Sequence, residues 1–222
     1  MRIFAVLIGL SFVSQLAAPP LELPATATAQ LARSLAAAQS SKRNLWRDTA
    51  PLNADGTVTG YVEIARGDRR KWEFDIKRNA RAIDRVMPPD VGGYPVNYGF
   101  VPQTISYDGD PFDILVLGPA IEGGRIVRGS IVGLMHMEDE KGLDSKVVVS
   151  VAGSNGKAAL ALTPDDRERI GDFFSRYKRH EPGKFSRVSG WGSAAEGLSY
   201  VKTTHRFFLE CRDAPSTACR LP

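Results

Sequence analysis

Three aspartates, Asp108, Asp110 and Asp113, fall within the six residues DGDPFD. Glycine tolerates positive φ and proline restricts φ, so DGDP reads as a tight bend that gathers the three carboxylates. Two bare charges ~4 Å apart repel by roughly 4 kcal/mol at an effective dielectric of about 20. A hard divalent cation relieves that repulsion, and donors that are all oxygen point to Mg²⁺, Mn²⁺ or Ca²⁺ rather than zinc. Taken alone, the pattern also fits a solvated acidic loop. It does not fit an EF-hand. Counted from Asp108, Phe112 and Pro119 fall where that loop needs oxygen ligands.

A second acidic stretch, MEDEKGLDSK, carries Glu138, Asp139, Glu140 and Asp144 and ends in Lys146. By itself it reads as a hairpin turn facing water. Beside DGDPFD it makes a second carboxylate cluster, and two clusters can hold two or more metal ions, which activate water and neutralise phosphate charge. Cations are available at Lys71, Arg85 and Lys178, and the phenols of Tyr98 and Tyr177 can donate to phosphate oxygens. Carboxylates, metal ions and these donors together describe phosphoryl-transfer chemistry.

The elements that must position these groups are mostly strands. YVEIA alternates, with Tyr61, Glu63 and Ala65 on one face and Val62 and Ile64 on the other. RGDRR then reads as the turn of a hairpin leading into KWEFDI. AIDRVM, ILVLG, RIVRGSIVGLMHMED and VVVSV follow, separated by turn residues. Short strands without intervening helices argue for a barrel or sandwich rather than a parallel sheet. Helices come last. Thr163-Pro164-Asp165-Asp166 is a capped start for a helix carrying Ile170, Phe173, Phe174 and Tyr177, and Ser193 to Glu196 reads as a capping box for another running to about Phe208.

The 222 residues suit one domain with terminal extensions, and the net charge of +4 singles out no partner. Met1-Arg2, the apolar run Ile3 to Val13 and the small residues before Gln30 predict a secretory signal over 1–29, with a cut after Ala29 fitting best and one near Ala17 or Ala18 as the alternative, and hence export to the periplasm or beyond. The segment 30–59 reads as a linker or peripheral piece with Trp46 its only large aromatic. In the tail, 209–222, Cys211 and Cys219 predict a disulfide under oxidising conditions.

YPVNYGFVPQT followed by DGDPFDILVL resembles the signature of the family I soluble inorganic pyrophosphatases. The resemblance runs from about Gly60 to Lys178, with a weaker echo to Trp191 and the last helix, and places the domain at 60–208. It implies an α+β fold, mainly β with flanking helices, built on an OB-like five-stranded barrel with the site at its mouth. It implies hydrolysis of pyrophosphate with several Mg²⁺ ions per site. Asp108, Asp113 and Asp144 would hold the principal ions, and Asp139 a further one. Glu63 and Glu73 would serve additional metal, and Glu140 matches an acidic position of the second cluster. Asp110 would be the base. Lys71, Arg85, Tyr98, Lys146, Tyr177 and Lys178 match phosphate-binding positions, and Tyr94 a tyrosine beside them. Bacterial members are commonly hexamers, and neither nucleic acid nor, after signal cleavage, membrane is an expected partner. Two rival readings remain: an OB-type nucleic-acid module using Arg66, Arg69, Arg70 and Lys71, and an exported hydrolase of other phosphoanhydrides. The first leaves the carboxylates unexplained.

Overall fold

The alternating and apolar runs of the sequence pair edge to edge until the sheet closes on itself. The structure, a computed structural model, describes residues 25–39, 42–151 and 160–212. Its strands are β1 (Val58–Ile64), β2 (Arg70–Asp75), β3 (Ala80–Val86), β4 (Asn97–Phe100), β5 (Asp113–Leu117), β6 (Ile126–Asp139), β7 (Gly142–Leu143), β8 (Lys146–Ser150) and β9 (Ser186–Gly192). Its helices are α1 (Ala25–Gln39), α2 (Leu45–Asp48), α3 (Pro164–Arg176) and α4 (Ala194–Arg212). Strand order β1-β4-β5-β8-β6, with β6 returning to β1, makes the expected five-stranded barrel, while β7 and β9 extend β6 beyond the ring. One pair, β5 with β8, is parallel.

Long β6 serves four neighbours. Its first residues pair β1, its middle pairs β8 and its end pairs β9 and β7, with register shifts at Ile131/Gly133 and His136/Met137. Such bulges bend a strand and so let it leave the ring it helps to close.

The barrel wall buries both faces, so its strands read as apolar runs rather than clean alternations. Ile114, Val116, Val147 and Val149 pack with Val201 of α4. On the opposite face, Leu115, Leu117 and Val148 pack with Ile170, Phe173 and Phe174 of α3. The Thr163 cap is as read: its hydroxyl accepts from Asp166 N, and the Asp166 carboxylate accepts in return from Thr163 N. At α4 only half of the box forms. Ser193 Oγ accepts from Glu196 N, but the Glu196 side chain lies 3.1 Å from His136 Nε2.

Three readings change or narrow. KWEFDI does not pair with YVEIA across RGDRR; it pairs with AIDRVM as a separate two-stranded sheet. Asn79 takes positive φ (53°) and Asp75 accepts from Arg78 N, which builds the tight turn there, whereas Gly67 N donates to Tyr94 O and draws RGDRR away from the ladder. Strand β9 and the short β4 had no clear signal, since SRVSGWG and NYGF are poor in alternating apolar residues. Last, of the two readings of 30–59, linker or peripheral piece, the packing of α1 and Trp46 supports the second. Leu31, Leu35 and Ala38 of α1 are buried against Trp46, Phe207, Phe208 and Cys211, and Trp46 donates from Nε1 to Thr104 O. Helix α1 runs through Ala29, while the apolar run Ile3 to Val13 and Cys219 lie outside the described residues.

Candidate active site

The DGDP bend forms as its composition dictates. Gly109 sits at φ 87°, its N–H donates to Ser106 O, and Asp110 N donates to Asp108 Oδ1. Asp113 opens β5, Asp139 ends β6, and Asp144 lies in the turn between β7 and β8. Parallel pairing of β5 with β8 sets Asp113 beside Lys146, and thus the first acidic cluster beside the second.

Opposite them stands the β2–β3 sheet. Its register places Lys71 directly across from Arg85. Like charges facing one another across strands are destabilising, and here carboxylates compensate them. Lys71 meets Glu73 at 2.5 Å and Asp84 at 3.5 Å; Arg85 meets Asp84 at 2.9 Å and Glu181 at 2.7 Å. Tyr177 and Lys178 at the end of α3 complete the wall. A cavity of about 1000 Å³ opens between these groups, and Glu63, Glu73, Asp108, Asp110, Asp113, Asp139, Glu140 and Asp144 line it together with Lys71, Arg85, Tyr98, Tyr177 and Lys178.

Lysines bridge the carboxylates in pairs. Lys141 Nζ is 3.4 Å from Asp110 Oδ2 and 3.8 Å from Asp108 Oδ2. Lys146 Nζ lies 2.5 Å from Asp113 and 2.8 Å from Asp144. Lys178 Nζ lies 2.5 Å from Asp139 and 3.0 Å from Glu140. Among the described residues no group of three or more acidic, histidine or cysteine side chains is drawn together as a finished metal cage.

The donor chemistry nonetheless fits hard cations. Burial first, then the charges of Asp110 and Asp144, raises the Asp108 carboxyl. Burial, opposed by Lys146 and reinforced by Asp113, raises Asp144. Burial pushes Glu63 up to about 8, although Phe74 N–H donates to it. Carboxylates that raise one another ionise fully only when more positive charge joins them, and divalent cations bring it. Burial also raises the phenols of Tyr98 and Tyr177 well above their usual range, so both stay protonated hydrogen-bond donors.

Residues 60–208 match the family described as inorganic pyrophosphatase. The chain belongs to that family. An inorganic pyrophosphatase of Sulfolobus acidocaldarius is 36% identical over 157 residues, which cover 68% of this chain and 90% of that protein. Inorganic pyrophosphatase 2 of Pseudomonas syringae pv. tomato is 40% identical over 139 residues, covering 60% of this chain and 76% of that protein. Among solved structures, the Thermus thermophilus inorganic pyrophosphatase superposes with a TM-score of 0.70 at 34% identity, covering 75% of this chain and 99% of that one.

Two of the residues that match the pyrophosphatase pattern stand behind the cavity wall. Lys146 is 1% exposed, under Asp113 and Asp144, and Tyr94 is 1% exposed, packed against Tyr98, Phe173 and Phe174. Burial alone would lower the Lys146 ammonium, but Asp113 and Asp144 outweigh it and raise its pKa, so Lys146 is a fixed counter-charge. Sequence reasoning missed Lys141, Asp84, Glu181 and Gln30. Lys141 was visible as the cation inside MEDEKGLD. Nothing in the sequence marks Gln30.

Proposed function

We propose that this chain hydrolyses inorganic pyrophosphate to two orthophosphates in an Mg²⁺-dependent reaction. The observation that carries the reading is the single cavity in which the carboxylates of both acidic segments face Lys71, Arg85, Lys178 and two protonated phenols. A trianionic or tetra-anionic substrate suits the cationic wall, and hard metal ions suit the other.

Asp108, Asp113, Asp139 and Asp144 would hold Mg²⁺, with Glu63, Glu73 and Glu140 around them. When bound, the ions acidify a water and neutralise phosphate charge. Asp110 accepts the proton of the attacking water as its oxygen adds to one phosphorus. The bond from that phosphorus to the bridging oxygen breaks, and the second orthophosphate departs. Lys71, Arg85 and Tyr177 stabilise the charge on the departing group, while Tyr98 and Lys178 orient the phosphoryl oxygens. Lys146 and Tyr94 keep Asp113, Asp144 and Tyr98 in place from behind. Phosphate release from purified protein with Mg²⁺ tests this. Pyrophosphate is expected to exceed triphosphate and ATP in kcat/KM; a preference for ATP or triphosphate would transfer the site to other phosphoanhydrides.

We also propose that the protein is exported, that Cys211 bridges Cys219, and that it assembles as a homo-oligomer, a hexamer by resemblance to bacterial members. The apolar run Ile3 to Val13 supports export, and the paired cysteines near the C-terminus support the bridge. Thiol labelling of protein recovered from the exported fraction and light scattering check these points. Two reactive thiols would remove the bridge, and a monomer mass would remove the assembly.

A further inference from the structure

Helix α1 lies outside the stretch that matches the family, residues 60–208. It is amphipathic at helical spacing. Leu31, Leu35 and Ala38 form one stripe, buried on Trp46, Phe207 and Phe208, and Arg47 Nη1 donates to Ala38 O at 2.5 Å. The stripe beside it, Gln30, Arg33, Ser34 and Ala37, lines the cavity. A segment added to the family's domain therefore forms one wall of its site.

One contact in that wall reaches the reacting groups. Gln30 Nε2 donates to Asp110 Oδ1 at 2.5 Å. Only the amide NH₂ end of Gln30 can face a carboxylate oxygen, so the chemistry sets the orientation of the amide. The other oxygen, Oδ2, faces Lys141, which it shares with Asp108, and so lies toward the first acidic cluster. The bond from α1 to Oδ1 opposes rotation of the carboxylate and leaves Oδ2, beyond its longer 3.4 Å contact with Lys141, as the oxygen to take a proton.

We propose that Gln30 is a positioning residue for this enzyme: delivered by the docked α1, it holds Asp110 with one oxygen toward the attacking water. The proposal rests on the reading of Asp110 as the proton acceptor. Because Gln30 acts through Asp110 and not on the substrate, its loss lowers kcat and leaves KM nearly unchanged. Misplacement of a reacting group by a fraction of an ångström to one ångström costs up to about a hundredfold, and the expected loss for Gln30→Ala is about tenfold to a hundredfold. Gln30→Glu keeps the length of the side chain but sets a carboxylate against Asp110, so the loss is at least as large.

The test uses protein recovered from the compartment where it accumulates, with its N-terminus read by mass spectrometry. A mature chain that begins beyond Gln30, or whose Gln30 has cyclised with loss of ammonia, lacks the donor and overturns the proposal. Otherwise the kcat and KM of the parent, Gln30→Ala and Gln30→Glu are compared on pyrophosphate with Mg²⁺. Hydrogen exchange of the metal-free proteins is followed alongside. Faster exchange over residues 106–112, with α1 still protected in Gln30→Ala, is expected from a lost positioning bond; a merely structural role would instead deprotect α1. Parent-like kcat and parent-like exchange in Gln30→Ala overturn the inference. An inactive parent would speak against the pyrophosphatase reading itself, and the exchange result would still report on the bond to Asp110.

Discussion

Asp110 and Glu63 are both acids of one cavity, yet their surroundings give them different work. Asp110 is more than a third exposed and, among the described residues, its side chain meets Gln30 and Lys141. A group so placed can exchange a proton with water, as a general base must. Asp110→Asn keeps shape and removes basicity, so turnover is expected to fall by ~10²–10⁴ while Mg²⁺ affinity, read by calorimetry, changes little. Glu63 is buried, and the folded state pushes its carboxyl from 4.5 up to about 8. The folded protein therefore holds that proton more tightly than the unfolded chain. The stability linked to it is full below about pH 4.5, declines as pH rises, and is gone above about pH 8. Glutamine imitates the protonated acid and can still accept from Phe74 N. Denaturant unfolding of metal-free Glu63→Gln should match the parent near pH 5 and exceed it above pH 8. The gain should be on the order of 2–5 kcal/mol, since each pKa unit is worth about 1.4. Equal stabilities at both pH values would show that Glu63 ionises normally.

At the scale of elements, the site depends on strands approaching more closely than side chains usually permit. Gly99 of β4 lies against the β1 backbone, and a Cβ there would stand 1.8 Å from Tyr61 O, beside the register shift at Val62/Ile64. Gly99→Ala must push β4 off β1, and β4 follows directly on the loop carrying Tyr94 and leads toward the DGDP bend. A loss of about 3 kcal/mol in chemical denaturation, with weaker Mg²⁺ binding, is expected. An unchanged unfolding midpoint would mean that the barrel yields there at no cost. Helix α4 shows the same economy of space: its Gly197 lies where a Cβ would meet Gly133 O of β6 at 2.9 Å. These contacts join residues far apart in the chain, so the sequence shows a glycine but not its neighbour.

Across the whole molecule, one cavity brings together stretches of chain from α1 to the segment after α3, and its carboxylates outnumber the three lysines that bridge them. Ions that bind the folded state alone stabilise it by mass action, by about 2.7 kcal/mol at a hundredfold excess over Kd. For a chain of this length that corresponds to a rise of roughly 5–10 °C in Tm. Both Mg²⁺ and Ca²⁺ are expected to raise Tm in calorimetry, but only Mg²⁺ to support turnover, because Ca²⁺ coordinates more loosely and acidifies water less. Full activity with Ca²⁺ alone would contradict the assignment. The sequence by itself determined the chemistry: DGDPFD and MEDEKGLDSK name the acids, alternating and apolar runs name four of the five barrel strands, and Thr163-Pro164 names a helix start, because each of these signals is local. Only the tertiary structure decided that KWEFDI turns to AIDRVM, that Lys146 lies beneath the site, and that Gln30 reaches Asp110 across eighty positions. Pairing partners, burial and such long-range hydrogen bonds are settled by which surfaces meet when the core closes, and no local pattern records that.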